Sequence, residues 1–303
     1  MERGAGNFTY RKAVPPDLKW RMMAVPDADS LIMGLLPAVL EAARAELHYF
    51  SAGVTVLSKP DASPVTAADH EAEAILLTCL ERNWPSVPVI AEELAAAERL
   101  PPEDGDFFLV DALDGTRHFI RGKPEFSINV GLIHARKPVF GLIYVPPTGT
   151  LYVTRADGAA YRAHVPAEGA VPATLDALKL EKVRTRIADR SRLVAFNSRT
   201  TGGASAEFLA ALEVHDARPL GSSQKFCLIA AGEGDIYARF GPTYEWDTAA
   251  GQAILEAAGG TVTTIDGGAM VYGKSAESYL NQSFVAWGGP PLLTGFRRSK
   301  ASG

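Results

Sequence analysis

The segment FFLVDALDGT, residues 107–116, carries four apolar residues straight into two aspartates three positions apart, followed by Gly-Thr. The apolar run has the texture of a buried strand. Asp111 and Asp114 at its end are a liability, because two carboxylates projecting from one tight turn repel each other unless a cation offsets them. Two readings are open at this point. The segment is a polar turn closing a buried strand, or something doubly positive sits between the pair.

The chain has 303 residues, 47% of them hydrophobic and 21% charged, enough to bury a large core as one large domain or two closely packed ones. Residues 1–28, with Pro15 and Pro16, read as an irregular extension. DADSLIMGLLPAVLEAARAELHYF then repeats apolar residues at helical spacing, with Asp29 or Ser30 as the N-cap and Pro37 as a place for a kink. A loop-like stretch around Lys59, Pro60 and Pro64 leads into TAADHEAEAILLTCL, where Thr66 followed three residues later by Asp69 has the form of a capping box. From Val87 onward VPVIAEE and FFLVDALDGT are short β-type runs ending in acid, and residues 125–162 read as a meander of strands joined by Gly and Pro turns.

Residues 165–190 are poorly patterned and mark the expected boundary. Beyond them RLVAFNS, ARPLG, DIYARFG, GTVTTI and SFVAWG read as strands alternating with helical GASAEFLAALEV, SSQKFCLIAAG and DTAAGQAILEAAGG. The expected organisation is an N-terminal α+β half at 29–165 bearing the acidic motifs and a C-terminal α/β half at 190–292 that completes the site. Mixed layers of helix and sheet follow from that order.

Several function classes drop out. The net charge is −5 and no Lys/Arg run occurs, so a nucleic-acid polymer is a poor partner. Cys79 and Cys227 each lie in an apolar helical pattern, which reads as core packing rather than a disulfide or zinc framework, and such scarcity fits a reducing compartment. The first thirty residues lack the apolar stretch of a signal peptide and no run is long enough for a transmembrane segment, so a cytoplasmic location is expected. The six histidines are scattered, and there is neither a serine-nucleophile elbow nor a Walker loop.

Acid, by contrast, recurs at element ends: Asp69, Glu92 with Glu93, Asp111 with Asp114, and Asp247 in EWDTAAG. Singly, Asp69 and Asp247 could be charges favoured at helix N-termini, and the glutamates solvated strand ends. Together they supply the all-oxygen ligands that Mg²⁺ takes, in the number that metal-assisted phosphoryl hydrolysis uses. Phosphate would sit where Gly115 and Thr116 lead into a helix and offer backbone N–H groups. GSSQKF, residues 221–226, is a second helix start with donors and a lysine; its plainer reading is capping by Ser222 or Ser223 with Lys225 in solvent.

These motifs resemble those of the magnesium-dependent, lithium-sensitive inositol monophosphatase superfamily: DALDGT is similar to its D-P-[IL]-D-G-T signature, and EWDTAAGQAILEAAGG to W-D-x-A-A-G followed by E-A-G-G. SPVTAAD and AEE fit upstream in the same order. LSKPDASPVTAAD and GSSQKFCLIAAGEGDIYARFGPTYEWDTAAG are most similar to the CysQ-type 3'(2'),5'-bisphosphate nucleotidase branch, linked to sulfur assimilation. The resemblance implies a layered α-β-α-β-α sandwich. It also implies two or three Mg²⁺ ions, held by Glu92, Asp111, the Leu113 carbonyl, Asp114 and Asp247, with Asp69, Glu92 and Thr116 activating a water. Leu113, Asp114, Gly115, Thr116, Gly221, Ser222, Ser223, Lys225, Arg239 and Asp247 would line the substrate, adenosine 3',5'-bisphosphate or its 5'-phosphosulfate relative, and a homodimer is a further expectation.

Arg239 stands where inositol monophosphatases carry a glutamate facing the polyol. A cation there suits a second phosphate, although an exposed strand residue is the plain alternative. Ala112 in place of the signature's proline, and Leu94 in place of a third acid, remove no ligand. Hydrolysis of inositol 1-phosphate or fructose 1,6-bisphosphate by the same metal core, and a non-catalytic sensor of metal or phosphate ligands, are the alternatives.

Overall fold

The computed structural model describes residues 26–53, 56–58, 64–95, 105–198, 203–293 and 295–296. Residues 1–25 of the N-terminal extension, and Lys59 and Pro60, lie outside the described residues.

Helix α1 spans Ala28–Ala52 and runs through Pro37. Its N-cap is Asp27, which accepts from the Ser30 N–H at 3.0 Å, not Asp29 or Ser30 as the sequence pattern suggests. Asp29 is taken by a tertiary partner instead. Arg155 donates to both of its oxygens, at 3.0 and 2.7 Å, and holds its carboxyl below the usual range. A two-stranded hairpin of β1 (Val56–Ser58) and β2 (Pro64–Thr66) leads into α2, Ala67–Asn83. The capping box at its start is present, with Thr66 Oγ1 accepting from Ala68 N–H at 3.2 Å and Asp69 accepting from Thr66 N–H at 2.8 Å.

Among the described residues a seven-stranded sheet follows chain order: β3 (Val89–Ala91), β4 (Phe107–Asp114), β5 (Ser127–His134), β6 (Lys137–Val145), β7 (Thr150–Thr154), β8 (Ala160–His164) and β9 (Glu181–Lys182). It is an antiparallel meander apart from the parallel pair β3–β4. The poorly patterned stretch 165–190 folds back on this sheet, burying Val165, Ala167 and Leu178 in its core. A short helix α3 (Thr116–Ile120) follows β4, and α4 (Gly203–Ala211), α5 (Gln224–Ala230) and α6 (Ala249–Ala257) come later. The second large sheet contains β10 (Val194–Asn197), β11 (Asp216–Pro219), β12 (Ile236–Arg239), β13 (Thr261–Thr264) and β14 (Phe284–Trp287), ordered β11-β10-β12-β14-β13. Its first three strands are mutually parallel and β14 runs against both neighbours.

Strand alternation divides the core. Phe108 and Val110 of β4 face α1 and α2, while Phe107 and Leu109 face α5 and α6. The α5–α6 layer also covers Tyr237 and Phe284 of the second sheet, whose other face packs Ile236, Ala238 and Trp287 against Phe208 of α4. The order is therefore α1α2, sheet, α5α6, sheet, α4: the α-β-α-β-α sandwich. Helix α6 approaches the first sheet closely, since a Cβ on Gly141 would lie 2.2 Å from the Ala250 carbonyl oxygen. No helix of the described residues is long and apolar enough to cross a membrane.

One buried group violates the apolar pattern. Glu46 of α1 is fully buried, and neither carboxyl oxygen has a hydrogen-bond partner among the described residues. Burial first, then the charge of Asp69, pushes its carboxyl well above the ordinary range. The sign follows: a raised folded-state pKa makes stability greatest below the unfolded value and lost as pH rises through the folded one. Glu46→Leu should therefore raise the unfolding free energy at pH 8 by about 1–3 kcal/mol and by less at pH 5. Urea titrations at the two pH values check this; a gain independent of pH would contradict it.

Candidate active site

Strand β4 delivers the first two acids. Asp111 pairs with Asn129 of β5 and Asp114 with Ser127, so three steps on β4 oppose two on its partner. The extra residue is a bulge. Without it, residues three apart on a strand would point to opposite faces, whereas one inserted residue restores the parity and lets both carboxylates serve one site. The tight turn expected for both aspartates is thus a bulged strand that continues through Asp114. It ends at Gly115, whose left-handed φ of 103° starts α3 and where a Cβ would meet the Glu125 carbonyl oxygen at 2.6 Å.

Glu92 follows β3, which is parallel to β4 and ends beside Val110. Asp247 comes from the 3-10 turn Glu245–Asp247 ahead of α6. Carboxyl oxygens of Glu92, Asp111 and Asp247 all lie within 4.8 Å of one another. Asp114 stands beside this trio rather than in it, yet its charge bears on both Asp111 and Asp247. Burial first, then Glu92, Asp114, Asp247 and Asp69, pushes the Asp111 carboxyl well above the ordinary range. Asp247 is raised likewise, by burial and then by Asp114 and Glu92. This is a close-set, oxygen-only donor set whose repulsion is offset only in part, by Arg239 at Asp247, and it fits a hard divalent cation.

Asp69 and Thr116 meet at the edge of the acids. The Thr116 hydroxyl donates toward Asp69 Oδ1 at 2.9 Å and the Leu113 carbonyl oxygen at 3.1 Å. The other Asp69 oxygen accepts from the Thr66 N–H and hydroxyl at 2.8 and 2.7 Å, so the capping box also aims this carboxylate. Asp69, Glu73, Glu92, Glu93, Asp111, Ala112 and Leu113 line one cleft.

On the other side the loop Gly221–Ser223 is held by buried polar contacts. Gly221 N–H donates to Glu125 Oε2 at 2.7 Å, and Ser223 N–H donates to Asp114 Oδ2. The Ser223 hydroxyl is not a helix cap; it donates to Asn129 Oδ1 at 2.7 Å. Ser222 takes a left-handed φ of 50°, and its Oγ accepts from Gln224 N–H at 3.3 Å. Lys225 is buried rather than solvated, because its ammonium donates to the Leu220 and Ser222 carbonyls and lies 4.8 Å from the Tyr237 ring centre. Burial pulls its pKa down to about 8 against the attraction of Asp114. Arg239, half-buried at the end of β12, donates to Ser198 Oγ at 2.7 Å and the Pro242 carbonyl at 2.9 Å. Its charge reaches Asp247 and Lys225.

Residue-type reasoning missed three supporting groups. Glu73, one helical turn after Asp69, is buried and accepts from Glu93 N–H at 2.8 Å. Asn129 and Ser127 are buried polar residues at alternate positions of an otherwise apolar strand, a signal that was legible in SINVGLI. Asn129 Nδ2 donates to Asp114 Oδ2 at 3.4 Å.

The inositol monophosphatase family model matches residues 28–289. The 3'(2'),5'-bisphosphate nucleotidase CysQ of Salmonella typhimurium is 38% identical over 226 residues, 75% of this chain and 86% of that protein. Escherichia coli K12 CysQ is 37% identical over 229 residues, 76% and 87% respectively. The crystal structure of CysQ from Bacteroides thetaiotaomicron, a member of the inositol monophosphatase family, superposes with a TM-score of 0.71 at 31% identity, covering 86% of this chain and 97% of that one. An inositol monophosphatase from Anabaena shares the fold, with a TM-score of 0.65 at 23% identity over 86% of this chain and 91% of its own.

The raised Asp111, Asp114 and Asp247 carboxyls set a pH dependence. Their stabilising contribution in cation-free protein is complete below the unfolded carboxylate pKa and is lost as pH rises through the folded values. In EDTA, therefore, the Tm should fall from pH 5 to pH 8, and saturating Mg²⁺ at pH 8 should restore about 5 °C. Asp111→Asn should flatten both responses. Scanning calorimetry reads all three, and a wild-type Tm indifferent to Mg²⁺ would remove the carboxylate cluster as a cation site.

Proposed function

The chain belongs to the inositol monophosphatase family, whose members are metal-dependent, and within it we propose a 3'(2'),5'-bisphosphate nucleotidase that removes the 3'-phosphate of adenosine 3',5'-bisphosphate. The observation that carries the chemistry is the 2.9 Å Thr116–Asp69 hydrogen bond beside three carboxylates within 4.8 Å of one another. Glu92, Asp111, Asp114, Asp247 and the Leu113 carbonyl would hold two Mg²⁺ ions. Bound there, the ions would supply Lewis acidity at the phosphoryl group and a water of lowered pKa.

The chain's own residues handle the proton. Thr116 Oγ1 accepts a proton from the attacking water while passing its own to Asp69 Oδ1, along the hydrogen bond already formed. Thr66 keeps Asp69 in the acceptor orientation, and Glu92, which lines the same cleft, orients the water. No side chain needs to form a covalent intermediate. The substrate assignment is supported by the relatives named above and by two cations, Lys225 bonded to the Gly221–Ser223 loop and Arg239 at the end of β12. Arg239 offers a second phosphate, or a 5'-phosphosulfate, the planar donors that a polyol does not call for.

Phosphate release from adenosine 3',5'-bisphosphate, inositol 1-phosphate and fructose 1,6-bisphosphate, each with and without Mg²⁺, tests the reading. The first should be turned over with the highest kcat/KM and only with the cation. Preference for inositol 1-phosphate would move the chain to another branch of the family, and binding without turnover would make it a sensor. Thr116→Ala should lower kcat about 100-fold with little change in KM. A collapse of affinity at unchanged kcat would instead make Thr116 a binding residue.

A further inference from the structure

The glutamate of EWDTAAG has no part in the chemistry above, yet it is fully buried and forms an ion pair with Lys274 at 2.6 Å. Glu245 Oε2 also accepts from Gly273 N–H at 2.7 Å, and Oε1 from Lys274 N–H at 2.9 Å. The Lys274 ammonium, itself nearly buried, donates to the Val271 carbonyl at 2.6 Å. From the same segment Asn281 Nδ2 donates to the Tyr244 carbonyl at 2.6 Å and to Thr248 Oγ1 at 3.0 Å, while Glu245 N–H donates to the Tyr279 carbonyl at 2.9 Å. Residues 271–281 thus hold the turn that carries Asp247 on both sides.

The turn needs holding. It is a single 3-10 turn, which is weak by itself. Asp247 at its end is repelled by Asp114 and Glu92, a force directed away from the cation site. A buried ion pair is a poor source of net stability, because desolvating both charges offsets most of their attraction. What this pair supplies is a fixed geometry two residues from the carboxylate. We propose that Glu245 and Lys274 are positioning residues for Asp247, setting the protein's affinity for divalent cations without touching cation or substrate. This rests on the reading of Asp247 as a cation ligand.

Mn²⁺ binding to the folded 303-residue chain, measured by titration calorimetry, tests the proposal. Lys274→Met should weaken Mn²⁺ affinity about tenfold, as loss of an outer partner of a metal ligand typically does. Lys274→Arg, which keeps the charge and donors, should largely restore it. The half-saturating Mg²⁺ for turnover should rise by the same factor while kcat at saturating Mg²⁺ recovers. Arg186→Met, which breaks the pair between half-buried Arg186 and buried Asp235 at the other end of β12, is the control: it should lower Tm and leave Mn²⁺ affinity unchanged. Wild-type Mn²⁺ affinity in Lys274→Met would overturn the proposal and make the pair a structural clamp. If that variant does not fold, Glu245→Gln makes the same comparison. Asp247→Asn separates the two levels of argument: if it binds Mn²⁺ normally, the ligand reading fails and takes the proposal with it, whereas weak binding there with normal binding in Lys274→Met overturns the proposal alone.

Discussion

Mutual repulsion among Glu92, Asp111, Asp114 and Asp247 is the constraint around which the molecule is arranged. Each carboxyl is removed from water to some degree, and Asp111 and Asp247 are pushed well above the ordinary range by burial and by the neighbouring carboxylates, Glu92 and Asp114 among them. Such a cluster persists in a folded chain only when rigid elements hold its members in place against the field they create. Here the anchors are a bulged strand for Asp111 and Asp114, the end of a short parallel strand for Glu92, and a clamped turn for Asp247. The folded scaffold supplies the force that brings the acids together, and a divalent cation is the natural counter-charge.

The small residues of the site motifs belong to the same arrangement. Ala249 and Ala250 lie against Gly131 and Gly141, where any side chain would drive a Cβ into α6. That contact seats α6 directly on the seven-stranded sheet, and Asp247, just ahead of the helix, comes down beside the end of β4. The Ser223 N–H and Asn129 amide then tie Asp114 to the loop after β11. A contribution from the second sheet side reaches the first through groups that are hydrogen-bonded to one another, so Asp114, Asn129 and the neighbouring loop form one connected polar network.

Much of this was legible in residue order because the motifs are local. The Thr66–Asp69 capping box, the apolar run ending in Asp111, and the alternation of helix and strand after residue 190 each follow from spacing within a few residues. Expectations went astray where a distant partner decided the outcome. Asp29 looked like a helix cap but is held by Arg155, 126 residues away, leaving Asp27 to cap. Lys225 looked like a surface lysine, yet it is buried over Tyr237 and closes the Gly221–Ser223 loop through backbone carbonyls. The roles of Glu73, Glu245 and Asn129 are long-range too, since each acts by accepting or donating a hydrogen bond across 15 to 29 residues.

By itself the sequence determined which residue types stand at strand ends and helix starts, and so the kind of chemistry: hard oxygen donors rather than a local thiol or imidazole motif. The tertiary structure decided which of those groups share a site and which serve as their supports. The physical reason is range. Periodicity, capping and turn chemistry act between neighbours in the chain, whereas the charge on a buried carboxyl, the seat of a helix on a sheet and the pairing of Glu245 with Lys274 depend on groups that meet only once the layers have packed.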